Sequence, residues 1–267
     1  MRLIPTDPRR RATLVAAAVA VVCAGAVAVV ATSAMSPAPM PSSTRAAVAQ
    51  STAPVRTPTP SPTATPGAVD APASTTIATV RGADVPVSAA PGAAAASSLA
   101  NPQASGAPLV FRVVGQRDGW VQVQLPRRPN GSTGWVPDSA VSLSTTVYAI
   151  VVTEADNTLD LYRAGKVVDS YPVATGTGGT PTPTGRFALT ELLAPTNGGY
   201  GPFAYGTTAF SDVLNSFGGG PGQIGLHGTE DASSIGQAAS HGCIRMHNAD
   251  ITTLVKTLPL GTPFQVR

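Results

Sequence analysis

Apolar positions are distributed along this chain in four different ways, and each way predicts a different kind of structure. Residues 12–31 form an uninterrupted run of Ala, Val, Leu, Gly, Thr and Cys with no charge. About 20 such residues suffice to span a bilayer core. Residues 35–74 show no periodicity and consist largely of Pro, Ala, Ser and Thr, with Thr57-Pro58-Thr59-Pro60-Ser61-Pro62 at their centre. That composition cannot bury enough apolar surface to offset its ordering entropy, and its prolines favour an extended, semi-stiff spacer.

Beyond residue 75 the pattern alternates. Ala78-Thr79-Val80-Arg81, Leu109 to Val114, Gly119 to Leu125 and Gly134-Trp135-Val136 are short period-2 runs separated by Gly, Pro and Asn-Gly turns, which predicts a small all-β unit over 75–144. Within it the Ala/Pro-rich stretch from Ala89 to Gly106 reads as an insertion, and Trp120 and Trp135 read as core. From residue 145 the strands become more regular: Val147 to Val152, Thr158 to Tyr162, Val167 to Ala174 and Arg186 to Leu192. Strands at this spacing predict a β-sandwich or barrel. Pro195 to Gly222, rich in Gly, Phe and Tyr, lacks periodicity and reads as a functional loop or lid.

One segment has helical periodicity. Ile251, Leu254, Val255 and Leu258 stand at i, i+3, i+4 and i+7, behind Asn248 as N-cap and Asp250 in the first turn, with Pro259 and Gly261 as the stop. Pro263 to Val266 is then a closing strand.

Charge refines the first segment and excludes a function class. Of 17 Lys+Arg and 14 Asp+Glu, four arginines and Asp7 fall in residues 1–11; setting these aside leaves equal numbers of each sign. The remaining chain has no electrostatic footprint for nucleic acid. The basic cluster before the apolar run is a topology signal placing the N-terminus in the cytoplasm. An uncleaved anchor over 12–34 is favoured over a cleaved signal peptide, whose apolar region is normally roughly 7–15 residues long. In either case the remainder is exported. Cys23 reads as a membrane-buried cysteine rather than a lipidation site, because Val21-Val22 precede it.

The candidate chemistry is concentrated near the C-terminus. All three histidines, His227, His241 and His247, lie within a short distance of Cys243, which would be the only exported thiol. A thiol with an imidazole is the minimum equipment for covalent acyl transfer, the imidazole lowering the thiol pKa and moving protons. Gly242 permits a tight turn that aims amides near Cys243 at an oxyanion. His227, ending the apolar Ile224-Gly225-Leu226 run, is the better general base; His247 reads as a polar residue at the helix entry. Two alternatives stay open: a cysteine hydrolase such as an endopeptidase or amidase with the same Cys/His equipment, and a zinc-stabilised binding module using His227, His241, Cys243 and His247.

The stretch Ile224 to Thr229, Ala232 to Gly236 and Ser240-His241-Gly242-Cys243-Ile244-Arg245-Met246-His247-Asn248 resembles the signature of the L,D-transpeptidase catalytic domain, the YkuD family; Pro181-Thr182-Pro183-Thr184-Gly185-Arg186-Phe187 resembles its upstream pattern. The Asp118 to Val121 and Gly134 to Val136 strands, the latter after a Pro129-Asn130-Gly131 turn, resemble a bacterial SH3-like domain. The resemblance implies a mainly β fold, an L,D-transpeptidase-type sandwich or barrel (145–267) with one short C-terminal helix and a small SH3-like barrel (75–144), to which the apolar run adds an N-terminal transmembrane helix. It implies a peptidoglycan enzyme acting on tetrapeptide stems, monomeric and without a cofactor. Cys243 would be the nucleophile and His227 the proton-transfer group, with His241 in the catalytic set. Ser240 and Gly242 would shape the oxyanion site. Arg245, Gly228 and Tyr205 would contact substrate, with Tyr200, Phe203 and Tyr205 forming a lid.

Overall fold

The computed structural model describes residue 69, residues 71–195 and residues 198–267. The basic N-terminus, the apolar run 12–31 with Cys23 and most of the Pro-rich spacer lie outside the described residues. Among the described residues no helix is long and apolar enough to cross a membrane.

The first sheet is built from β1 (Thr75–Val80), β2 (Asp84–Ser88), β3 (Ala95–Ala100), β4 (Val110–Arg117), β5 (Trp120–Gln124), β6 (Thr133–Pro137) and β7 (Val141–Thr146), in the order β3-β2-β6-β5-β4-β1-β7. Its pairings are antiparallel. Alternation works as expected: Val121, Val123 and Val136 point inward to a cluster with Val85, Val87 and Phe111. Two expectations are corrected. The Ala89 to Gly106 stretch is not a structureless insertion, because β3 pairs along β2 from Asp84↔Ala100 to Val87↔Ser97. Its small residues are exposed and carry no alternation; main-chain hydrogen bonding to β2, rather than burial, makes it a strand. Trp120 and Trp135 are half-buried and do not join the valine cluster, since they alternate with its members on the opposite face.

The second sheet runs β10-β9-β8-β17-β12-β13-β14-β16 and is formed by β8 (Tyr148–Thr153), β9 (Thr158–Arg163), β10 (Lys166–Pro172), β12 (Gly185–Leu193), β13 (Ala204–Phe210), β14 (Gln223–Thr229), β16 (Ile244–His247) and β17 (Pro263–Val266); β11 (Thr175–Gly176) and β15 (Ala238–Ser240) make a separate parallel ribbon. Two pairings are parallel, β17 with β8 and β14 with β16. One apolar cluster fills this unit, including Ile150, Leu159, Phe187, Leu226, Ile244, Met246 and Phe264. The described residues are thus mainly β with one short α-helix.

That helix, α1 (Asn248–Leu254), buries Ile251 and Leu254 beneath the second sheet. It is shorter than its apolar spacing predicts. Leu258 is buried in the following turn, and its carbonyl accepts the Tyr205 hydroxyl at 3.0 Å. Asn248 is the first helical residue rather than the cap; His247 occupies that position without a side-chain capping bond, and Asn248 instead donates to Glu230 at 3.0 Å. The Pro195 to Gly222 stretch is only partly loop, because β13 crosses it. The small and β-branched residues of Ala204-Tyr205-Gly206-Thr207-Thr208 gave little alternation, and pairing on both sides with β12 and β14 completes the strand.

Candidate active site

The parallel register of β14 and β16 sets Leu226 beside Ile244 and His227 beside Arg245. Side chains alternate, so Leu226, Ile244 and Met246 turn into the core. The residues between them, His227, Cys243 and Arg245, turn to the opposite face. There they border a cleft in two limbs. The larger, a cavity of about 350 Å³, is lined by Glu191, Tyr200, Phe217, Gly225, His227 and Cys243 among others. The smaller, of about 190 Å³, is lined by Tyr200, Phe217, His227, Ser240, His241, Cys243 and Arg245. Cys243 and His227 therefore front both limbs.

Gly225 separates the two reactive groups. A β-carbon there would stand 3.7 Å from His227 Cδ2 and 3.9 Å from Cys243 Sγ, so sulfur and imidazole flank the same point. Its amide also donates to Cys243 Sγ at 3.4 Å. His227 is only 3% exposed, and its Nδ1 lies 2.6 Å from the Gly228 carbonyl oxygen. A carbonyl only accepts, which places the proton on Nδ1 and leaves the Nε2 lone pair as the base. The Tyr200 ring packs on the imidazole at 4.6 Å between centroids.

Burial decides the protonation of this pair. It pulls His227 down to about 4, against the Gly228 carbonyl bond and with Arg245 adding to the fall. Burial likewise pushes the Cys243 thiol up, against the Gly225 amide and the Arg245 charge. The expectation that the imidazole lowers the thiol pKa is thus corrected: near neutral pH the resting pair is thiol and neutral imidazole.

The turn carrying Cys243 is held from several sides. Ser240 Oγ donates to the Cys243 carbonyl at 2.5 Å and accepts from the Gly242 amide at 3.0 Å. The Gly242 amide is therefore committed to shaping the turn. Gly242 itself has φ +116°, and a β-carbon would come within 2.9 Å of Ile224 Cδ1. Thr182 Oγ1 accepts from Gly176 and donates to the Gly242 carbonyl, both at 2.9 Å.

Arg245 exchanges two backbone hydrogen bonds with Ala174, while its side chain approaches Asp231 at 4.0 Å and lines the smaller limb. His241 is exposed at the rim, its ring stacked on Phe217 at 5.0 Å. Gly228 serves through its carbonyl, and a β-carbon on it would run into Asn248 Oδ1. Tyr205 is among the residues lining the larger limb, but its ring is 1% exposed and its hydroxyl donates to the Leu258 carbonyl in the core, so its side chain does not form a lid. Phe203 also packs against the core cluster, leaving Tyr200 as the lid residue of that trio. Among the described residues no three or more His, Cys, Asp or Glu side chains group as metal ligands. Phe217, Gly225 and Asp231 were not singled out from sequence; the lone aromatic in the glycine-rich 217–222 stretch was the available signal for the first.

Residues 147–266 match the family model described as the L,D-transpeptidase catalytic domain, YkuD. A Bacillus licheniformis protein named as the L,D-transpeptidase YkuD is 39% identical over 115 residues, covering 43% of this chain and 62% of that protein. Its Bacillus subtilis counterpart is 36% identical over 115 residues, 43% of this chain and 63% of that protein. The matched segment thus spans less than two thirds of the length of either. A second Bacillus subtilis protein, named as the L,D-transpeptidase YqjB, is 33% identical over 127 residues, covering 42% of this chain and 67% of that protein. Sequence and site geometry together assign this chain to the L,D-transpeptidase catalytic-domain family.

Proposed function

We propose that this protein is a peptidoglycan L,D-transpeptidase with Cys243 as nucleophile. The observation that carries the reading is the placement of Cys243 and His227 at the junction of the two limbs, with Nδ1 of His227 tied to the Gly228 carbonyl and Nε2 left as base. One limb accommodates the acyl donor and the other the amine acceptor, so both substrates meet at sulfur.

The donor is a tetrapeptide stem, attacked at the carbonyl of its L-configured diamino acid centre. Cys243 Sγ forms the bond to carbon as its proton passes to His227 Nε2. Collapse of the tetrahedral oxyanion breaks the C–N bond, and His227 returns the proton to the departing D-alanine amine. An amine of a second stem then attacks the thioester, gives its proton to His227, and expels the thiolate, which is reprotonated as the 3→3 cross-link forms. Arg245 borders the smaller limb, where its charge suits a stem carboxylate. His241 on Phe217 forms the rim.

The arginine cluster, the charge-free apolar run and the Pro-rich stretch support reading this unit as exported and tethered or secreted outside the cytoplasmic membrane, where an insoluble polymer is its substrate, with an SH3-like unit over 75–144. The test is incubation of the full chain in detergent with a disaccharide-tetrapeptide, beside Cys243→Ala. A Cys243-dependent acyl adduct, release of D-alanine and a 3→3 dimer are expected by mass spectrometry. Tripeptide without dimer would make the protein a hydrolase instead, and the absence of any adduct would remove the nucleophile.

A further inference from the structure

The loop between β13 and β14, residues 211–222, supplies Phe217, which borders both limbs of the cleft and stacks on His241. Within the loop, Ser211 Oγ accepts the amides of Val213 at 3.3 Å and Leu214 at 3.0 Å, but the stretch beyond them is open. Val213 is 53% and Phe217 44% exposed, and glycines occupy 218, 219, 220 and 222. Its tip is closed by a reciprocal pair of backbone bonds between Phe217 and Gly220, and its base by the Ser211 amide on the Gly222 carbonyl.

Further anchors come from the first sheet. Arg128, in the β5–β6 turn, donates through one nitrogen, Nη2, to the carbonyls of Ser211 at 2.9 Å and Leu214 at 2.8 Å, while its guanidinium lies 5.1 Å over the Phe210 ring. Asn130 exchanges two hydrogen bonds with the Phe210 backbone, at 2.8 and 2.9 Å, as a strand neighbour would. Gly222 has φ +72°, and a β-carbon there would clash with the Leu214 carbonyl and stand 3.2 Å from Arg128 Nη2, so the base is packed tightly around the guanidinium. A second contact reaches the cleft elsewhere: Ser105 donates to Glu191, which lines the larger limb, at 2.5 Å. Arg128, Asn130 and Ser105 all precede the family match at 147–266.

We propose that Arg128 is a positioning residue for the cleft: by clamping the carbonyls of Ser211 and Leu214 it fixes the loop that carries Phe217 into the cavities Cys243 also lines, so the first sheet completes the active site of the second. A lysine there retains the charge but lacks the planar group that covers the Phe210 ring while bonding both carbonyls. Without the clamp the loop samples open conformations that admit water and small reagents to the sulfur. This proposal deepens the acyl-transfer reading, and its primary readout does not depend on that reading, because alkylation requires only the thiol.

The experiment follows iodoacetamide modification of the Cys243 peptide by mass spectrometry in the intact full chain, for wild type, Arg128→Ala, Arg128→Lys, Phe217→Ala and the double Arg128→Ala/Phe217→Ala variant, with melting curves beside each. Arg128→Ala and Phe217→Ala are each expected to speed alkylation roughly three- to tenfold, and the double variant no further, because both act through one element. With tetrapeptide, Arg128→Ala is expected to raise KM more than it lowers kcat and to increase tripeptide at the expense of cross-linked dimer. Arg128→Lys, the milder change, is expected to keep a near-native melt yet alkylate faster than wild type. Unchanged alkylation in Arg128→Ala and Arg128→Lys, or multiplicative effects in the double variant, would overturn the proposal.

Discussion

Thr182 Oγ1 and the Gly242 carbonyl, 60 residues apart in sequence, are joined by a 2.9 Å hydrogen bond, and the same oxygen accepts the Gly176 amide. One buried hydroxyl thus ties the loop after β11 to the residue preceding Cys243. Valine at 182 keeps the shape and removes both bonds, leaving a buried N–H and C=O without this partner. The cost is about 2 kcal/mol. For a folded unit of this size that corresponds to a melting point lower by roughly 4–8 °C. Thr182→Ser is expected to retain most of the stability and Thr182→Val to lose it, with slower acyl-adduct formation; differential scanning calorimetry and stopped acylation time courses check both.

The depressed pKa of His227 makes stability depend on pH. In the unfolded chain this imidazole titrates near 6.5, and in the folded protein near 4. Between those values the unfolded state binds more protons, so stability rises with pH. The contribution is fully present above about pH 6.5 and is lost as pH falls through 4, with a size of about 3 kcal/mol. His227→Gln is expected to flatten this part of the pH–stability profile, measured by urea unfolding from pH 4 to 8. An unchanged slope would mean that His227 titrates in the folded protein as it does in the unfolded chain, without a depressed pKa.

The raised thiol pKa gives a separate signature. If Cys243 and His227 rest as a neutral pair, the rate of Cys243 alkylation climbs with pH through and beyond the ordinary thiol range, with no plateau near neutrality. A plateau below pH 7 would indicate a preformed thiolate–imidazolium pair. Monitoring the modified peptide across pH 6 to 10 distinguishes the two.

The legible parts of this protein were those where side chains report the backbone. Val121, Val123 and Val136 alternate because one face is buried, and Ile251 and Leu254 repeat with helical spacing because one stripe is. β3 and β13 escaped notice because small or β-branched residues, held by pairing, form them. At the site, Cys243 and His227 stood out as rare residue types in a polar context. Their protonation did not, since burial sets it and only the packed fold reveals burial. The partner orienting His227 is a backbone carbonyl, which leaves no mark in sequence. Tyr205 was assigned to the cleft from its neighbourhood, whereas the direction of its strand sends its ring into the core.

Gly242 is conformationally constrained as well as close-packed. Its φ of +116° lies where side chains are rarely accommodated, and a β-carbon would press on Ile224 Cδ1 at 2.9 Å. Gly242→Ala is expected to cost about 1–3 kcal/mol in backbone strain. Because the turn carries Cys243, the displacement reaches the sulfur directly, and an error of about 1 Å there lowers the acylation rate on the order of 100-fold. Circular dichroism with acyl-adduct kinetics separates the two effects: a native spectrum with lost acylation is the expected combination.

Arg245 acts on the site through its charge as well as its contacts. It opposes the rise of the Cys243 thiol pKa and adds to the fall of the His227 pKa, favouring loss of the thiol proton and a neutral imidazole. Asp231, 4.0 Å from the guanidinium and more exposed than it, partly offsets this charge. Arg245→Gln removes the cation and is expected to raise the thiol pKa further, slowing Cys243 alkylation at pH 8 by roughly two- to fivefold. Asp231→Asn moves the balance the other way and is expected to speed alkylation slightly. Added salt at 0.5 M weakens a partly exposed charge, so the ratio between wild type and Arg245→Gln should shrink with ionic strength. If the ratio is instead independent of salt, Arg245 acts by bracing β16 against Ala174 rather than through its field.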